Sequence, residues 1–397
     1  MTTYDLLIRN VRPMGATGCD VVVHDGRIRS VEPSLPGVAA AVVEDGKGAL
    51  LLPGLVEAHA HLDKTLWGMR WYRNEVGPSI TERIENERRW RAATGHDAAA
   101  QSLALARAFL ALGTTRLRTH VDIDTDAGLK HLDGVLATRD TLGNLLEIQV
   151  VAFPQSGLLC RPGTAELLDE ALQRGADVLG GLDPQGVDGD AVASLDLLFA
   201  LAVRHAKPLD IHLHEGGATG ARTLHLILDR IEALGLQGRV AISHCFCLGD
   251  VGAAERDMLL SRMARLRVAV VTTGSASRPV PELLACRAAG VLVAGGNDGI
   301  RDTWTPYGRP DMLERAMLIG LRNNLRRDDE LAWALDTVTA DAASVCGFAD
   351  YGLAPGCRAD LVLVQAQNVA EAVVARPSRQ CVVAGGHVVA REGRLLE

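Results

Sequence analysis

His59 and His61 stand two apart in the segment LVEAHAH. On an extended strand alternate side chains share a face, so both imidazoles project to one side and can bind one metal. Further ligand types follow, each at the end of a short apolar run: His212 in LDIHLHE, His244 in VAISHC and Asp298 in VLVAGGND. Imidazole nitrogen combined with carboxylate oxygen suits Zn²⁺ or Fe²⁺, accepts Mn²⁺, and is wrong for Ca²⁺ or Mg²⁺. An isolated HxH is a weak signal; five ligand-type residues at four run ends is a specific one. Such a site lends itself to hydrolysis by activated water.

Eight short apolar runs position these residues: ALLLPGLVEAHAH, TTRLRTHVD, EIQVVAFPQ, DVLGGLDPQ, PLDIHLHE, RVAISHC, RVAVVTTG and GVLVAGGND. Helical stretches such as TAELLDEALQRG and SLDLLFALAVRH separate them. This alternation predicts an α/β fold, a (β/α)8 barrel of the TIM type, whose continuously apolar strands are buried on both faces. Barrel active sites lie at the C-terminal strand ends. The polar residues collect there: Arg118, His120 and Asp122 on the second run, Gln155 on the third, His212, His214 and Glu215 on the fifth, His244 on the sixth, Asn297 and Asp298 on the eighth. His24, His96, His131, His205, His225 and His387 fall in hairpins or helices and read as surface or structural. His120 is equally a polar shell residue or a catalytic one.

The two ends of the chain differ from the middle. DLLIRNVRP, CDVVVHDGRIRSVEP and AAVVEDGKGALL alternate apolar and polar residues, with turns expected at Asp25-Gly26 and Asp45-Gly46. ADLVLVQ and RQCVVAGGHVVAREGRLL repeat the pattern near the C-terminus. We expect one small β-sandwich domain built from residues 1–52 and 352–397, with the barrel spanning 53–351.

Bulk properties exclude other classes. The 397 residues carry a net charge of −8 without a long basic run, which excludes nucleic acid and anionic membrane as expected partners. No uninterrupted apolar stretch of ~18 residues exists, and MTTYDLLIRNVRPMG lacks the basic and apolar segments of a signal peptide. The eight Cys form no CxxC and read as reduced thiols of a cytoplasmic enzyme. Symmetric assembly is common among soluble enzymes, and the helical arm from Ile80 to Trp90 is the expected interface of a homo-oligomer.

With these residues in place, the chain resembles the amidohydrolase superfamily, and within it the cytosine deaminase branch and its relative acting on N-isopropylammelide. PGLVEAHAHLDKT, TTRLRTHVDID, IQVVAFPQSG, GADVLGGLDP, LDIHLHEGG, ISHCF, GNDGIRDTWTPYGRPDML and YGLAPGCRADLVLV carry the resemblance over essentially the whole chain. It implies His59, His61, His212 and Asp298 as metal ligands, with His244 beside the metal against the hydrolytic water. It implies Glu215 as proton shuttle, Gln155 as a ring contact, and Lys64 as the counterpart of a lysine in the triazine enzyme. The fourth run lacks the Lys that two-metal members often carbamylate, which favours one metal. Gly299 departs from cytosine deaminase, which has a second Asp there, and puts cytosine itself in doubt. Glu215 replaces an Asp of the triazine enzyme and is followed by Gly216-Gly217.

The reaction implied is hydrolytic replacement of an exocyclic amino or alkylamino group on a small N-heterocyclic substrate, a pyrimidine- or triazine-like ring. The metal lowers the pKa of a bound water from ~15.7 toward ~7. Asp298 accepts a proton from that water, His244 holds it in line, and Glu215 protonates a ring nitrogen. Simpler roles compete. Glu215 is alternatively a structural partner of a ligand His, Gln155 a group satisfying loop backbone, and Lys64 a solvated partner of Asp63 or Glu57. Trp304 and Tyr307 either wall the pocket or pack their loop, and Asp302 contacts substrate or anchors that loop. Pocket shape depends on loops 65–80 and 274–282. Cyclic amide hydrolysis is the rival chemistry, and a metal-free scaffold the rival class.

Overall fold

The computed structural model describes residues 3–396. Two eight-stranded sheets organise it. One is all parallel. Its strands follow chain order: β1 (Leu55–Ala60), β2 (Thr114–Asp122), β3 (Glu147–Phe153), β4 (Val178–Leu182), β5 (Leu209–His212), β6 (Val240–Ser243), β7 (Ala269–Thr272) and β8 (Val293–Gly295). A parallel bridge between Ala60 and Asp298 and a 2.8 Å bond from Asp298 N to His59 O join the last strand to the first. This is the expected (β/α)8 barrel. Its strands are buried almost throughout because helices cover the outside and side chains fill the inside.

The barrel interior is partly polar. Arg118 donates from Nη1 to Asp210 Oδ2 at 2.8 Å and from Nε to Gln149 Oε1 at 2.6 Å. Both partners of this ion pair are almost fully buried, so each satisfies a charge that burial alone would make costly.

Both termini contribute to the second sheet. N-terminal strands Tyr4–Pro13, Cys19–His24, Arg27–Glu32 and Ala40–Pro53 join C-terminal strands Leu361–Val364, Arg379–Ala384, His387–Arg391 and Arg394–Leu395. Leu361 to Val364 run antiparallel to Pro53 to Leu50, which stitches the two ends together. The hydrogen bonds form one continuous mixed sheet, and Leu6, Ile8, Val21, Ile28, Leu51, Leu361 and Val383 share its own core.

Two local expectations need correction. Asp45-Gly46 is not a turn, because Ala40–Pro53 runs straight through it. The irregularity is absorbed as a register shift against Arg9 and Val11, with Lys47 and Gly48 at positive φ. Gly46 is required because a Cβ there would lie 2.3 Å from Val11 Cγ1. The run ALLLPGLVEAHAH is likewise two strands, one in each sheet, divided at Gly54. A Cβ on Gly54 would sit 2.1 Å from Thr115 Oγ1, so only glycine lets the chain cross there.

Helix α1 (Ile80–Thr94) lies between β1 and β2 in the chain. Ser79 and Glu82 form a capping box at its start, and left-handed Gly95 ends it. Only Ile84 and Glu87 of its fifteen residues are buried. No helix among the described residues is long and apolar enough to cross a membrane.

Candidate metal centre and pocket

The strand ends bring His59, His212, His244 and Asp298 together, with one ligand atom from each lying within 4.8 Å of the others. Asp298 Oδ1 lies 3.6 Å from His59 Nε2, and its Oδ2 lies 3.9 Å from His244 Nε2. His61 belongs to the same group through Nε2, 3.1 Å from Asp298 Oδ1, although it falls outside the compact set of four.

These histidines are nearly inaccessible, yet His59 Nε2, His61 Nδ1, His244 Nε2 and both nitrogens of His212 lack any hydrogen-bond partner. Buried polar atoms are normally satisfied. Several orphaned lone pairs converging beside a carboxylate fit a divalent transition metal. Burial, then the neighbouring imidazoles, hold His212 well below the usual range. Burial also depresses His244, so both rings are neutral and ready to ligate. Asp298 is held ionised: burial opposes its charge, but the neighbouring His59, His61 and His244 side chains outweigh it.

Backbone strain accompanies the ligands. His244 (φ 68°) and Asp298 (φ 64°) both occupy the left-handed region. Such residues cost about 1–3 kcal/mol each and persist where the surroundings over-determine them. Gly296 makes the approach of β8 to β1 possible, since a Cβ there would stand 2.4 Å from His59 Cβ.

A second layer fixes these candidate ligands. Ser243 Oγ donates to Asp210 Oδ1 at 2.6 Å and lies 2.8 Å from His59 Nδ1. Glu57, fully buried, accepts from His59 N at 2.8 Å and from Asn297 Nδ2 at 2.6 Å. Burial pushes the Glu57 carboxyl up to about 7 against these donors. Nothing in the sequence marks Asp210, Ser243 or Glu57 as supports of the cluster, because each sits inside an apolar run.

His120 lies against the cluster. Its ring centroid is 4.0 Å from that of His59 and 4.6 Å from that of His212, and neither of its nitrogens has a partner. His214 repeats, after His212, the two-residue spacing of His59 and His61. It stacks on His244 at 4.3 Å between centroids, and its Nδ1 lies 2.7 Å from Asp183 Oδ2. Burial opposes a charge on His214, but Asp183 prevails and raises its pKa.

Contrary to the simpler expectation, Lys64 is neither solvated nor paired with Asp63 or Glu57. Its side chain is 5% exposed, and Nζ donates to Gln155 Oε1 and, at 3.2 Å, to Asp122 Oδ1. Gln155 therefore holds Lys64 rather than loop backbone. Trp304 lies 5.4 Å from Lys64 Nζ by its ring centroid. Tyr307 is 80% exposed and walls nothing.

Glu215 is placed less simply. Its Oε1 accepts from Gln185 N at 2.8 Å and Gly186 N at 3.0 Å, and Oε2 accepts from Thr223 Oγ1 at 2.5 Å. Gln185 and Gly186 tie it to the loop after β4, and Thr223 to the helix that follows β5. Asp302 is buried and accepts from Trp304 N and Thr305 N through Oδ1. A Cβ on Gly299 would lie 2.0 Å from Asp302 Oδ2. The space opened by the missing side chain at 299 is thus taken by another carboxylate. Burial pushes Asp302 up to about 6.

The model described as Amidohydrolase family matches residues 42–390. The chain belongs to the amidohydrolase family. It is a hydrolase of carbon–nitrogen bonds other than peptides. An N-isopropylammelide isopropylaminohydrolase from Burkholderia multivorans shares 62% identity over 100% of both chains, with a TM-score of 0.95. A 5-methylcytosine deaminase from Klebsiella pneumoniae, liganded with 5-fluorocytosine, shares 27% identity over 98% of both chains, with a TM-score of 0.86. The N-isopropylammelide isopropyl amidohydrolase of Pseudomonas sp. strain ADP is 30% identical over 397 residues, 98% of each chain.

Proposed function

We propose that this amidohydrolase removes an amino or alkylamino group from a triazine- or pyrimidine-like ring, with N-isopropylammelide the first substrate to try. The observation that carries this reading is the partnerless imidazole–carboxylate cluster, set in a chain similar over its full length to an N-isopropylammelide isopropylaminohydrolase.

His59, His61, His212 and Asp298 would hold one divalent metal, with His244 beside it; Zn²⁺ and Fe²⁺ suit the donor set and Mn²⁺ is acceptable. The metal supplies Lewis-acid activation of water near neutral pH. Asp298, held ionised, takes a proton from the attacking water. Neutral His244 orients that water toward the ring carbon. Glu215 accepts the other proton of that water and passes it to a ring nitrogen, and Asp298 gives its proton to the departing amine. The net change forms one C–O bond, breaks one C–N bond and releases an amine. Lys64, kept charged by Asp122, suits a ring carbonyl, and Asp302 suits a ring N–H. Gln155 aims Lys64 and shares the same wall.

Amine or ammonia release should be measured with metal-loaded protein on cytosine, isocytosine, 5-methylcytosine, ammelide and N-alkyl ammelides, with dihydrouracil and hydantoin as ring-opening controls. Release from an N-alkyl ammelide is the expected result. Turnover of only a ring-opening control would overturn the proposal.

A further inference from the structure

We propose that Glu87 is a substrate-positioning residue that clamps α1 over the pocket and holds Trp304 and Lys64 together as one wall. The inference rests on the reading of Lys64 and Trp304 as pocket residues.

Helix α1 has the sequence ITERIENERRWRAAT and almost no apolar face to bury. Ion pairs dock it instead. Arg88 Nη1 lies 2.8 Å from Asp124 Oδ1, and Arg91 Nη1 lies 2.9 Å from Asp122 Oδ2, both partners being on or just after β2. Glu87 points the same way and is 2% exposed. Its Oε2 accepts from Trp304 Nε1 and lies 3.7 Å from Lys64 Nζ. One carboxylate oxygen therefore joins the loop after β8 to the loop after β1. Its Oε1 is buried without a hydrogen-bond partner, 3.9 Å from Arg91 Nη1.

Lys64, Arg88 and Arg91 face Glu87, Asp122 and Asp124, and Arg88 also pairs with the exposed Asp126 at 2.6 Å. Burial pushes the Glu87 carboxyl up to about 7, and Lys64 pulls it back. A carboxyl in this position is retained only where its partners offset the lost hydration. Without Glu87, the indole N–H loses its acceptor and Lys64 is left to Asp122 and Gln155. The groups assigned to proton transfer, Glu215, His244 and Asp298, stand after β5, β6 and β8 and make no contact with Glu87 in the network described. The effect therefore falls on ground-state binding.

The test compares Glu87→Ala, Glu87→Gln and Trp304→Phe by steady-state kinetics on N-isopropylammelide. Glu87→Ala should raise KM about tenfold and leave kcat within about threefold. Glu87→Gln keeps an acceptor for the indole and should raise KM by about threefold. The double variant Glu87→Ala/Trp304→Phe should rise no further than the worse single variant, because both remove one contact. Unchanged KM in both Glu87 variants, or a fall in kcat with KM unchanged, overturns the assignment. Absence of parent turnover on every ring would instead sink the functional reading. Backbone amide exchange over residues 80–94 then decides: faster exchange in Glu87→Gln supports the clamp, and unchanged exchange overturns it.

Discussion

Replacing Ser243 by alanine should weaken metal binding without touching a ligand. Ser243 has one hydroxyl proton, and it goes to Asp210 Oδ1 at 2.6 Å. Its oxygen, 2.8 Å from His59 Nδ1, must then accept a proton from that ring. This fixes His59 as the Nδ1–H tautomer and leaves the Nε2 lone pair facing Asp298. Arg118 holds Asp210 from the other side at 2.8 Å, so the relay is rigid. Removing such a partner typically costs 10–100-fold in affinity, about 1.4–2.7 kcal/mol. Folding should lose about 1–3 kcal/mol as well, because His59 and Asp210 each forfeit a buried partner. Zn²⁺ affinity is measured by competition with a chromophoric chelator, using Asp298→Ala as the ligand-loss reference and thermal unfolding of the metal-free protein to read stability. A dissociation constant within about twofold of the parent, in a folded protein, would refute the tautomer argument.

Four further outcomes are expected. Asp298→Ala and Glu215→Gln should each abolish amine release while circular dichroism stays unchanged; substantial residual activity in both would sink the mechanism. Gly296→Ala places a Cβ 2.4 Å from His59 Cβ, so it should cost about 1–3 kcal/mol in urea unfolding and reduce bound metal by mass spectrometry. Lys64→Met should raise KM more than it lowers kcat, since Lys64 contacts ground-state ring carbonyl in the proposed pocket. His131 should make stability fall with rising pH. Burial disfavours its charge, yet the Asp63 carboxylate 2.7 Å away raises its pKa. A raised folded pKa gives stability that is complete below about 6.5 and is lost as pH climbs through the folded value. Urea midpoints between pH 6 and 9 should therefore slope less in His131→Gln.

Eight apolar runs with helical spacers, and polar residues at their ends, were enough to place the barrel and to gather His59, His61, His212, His244 and Asp298 at one mouth. This worked because strand alternation and the parallel sheet's burial are local consequences of residue type. The terminal strands were legible for the same reason. Their joining into one sheet was only inferable, because pairing of Leu361 with Pro53 depends on contacts between distant parts of the chain. The Asp45-Gly46 turn was misread because glycine permits a bulge as readily as a turn, and the partner strand decided between them.

What the sequence by itself determined was the set of candidate ligands and the order of the elements that carry it. Tertiary structure decided what those ligands lean on. Ser243, Asp210 and Glu57 sit among apolar neighbours in the chain and acquire meaning only when β1, β5, β6 and β8 bring them beside His59. Glu87 lies on a helix that reads as a charged surface arm, and its burial against Lys64 and Trp304 follows from docking by ion pairs. Lys64 shows the same limit: its partners Asp122 and Gln155 come from other strand ends, and whether a charge is solvated or locked is a property of the folded surroundings.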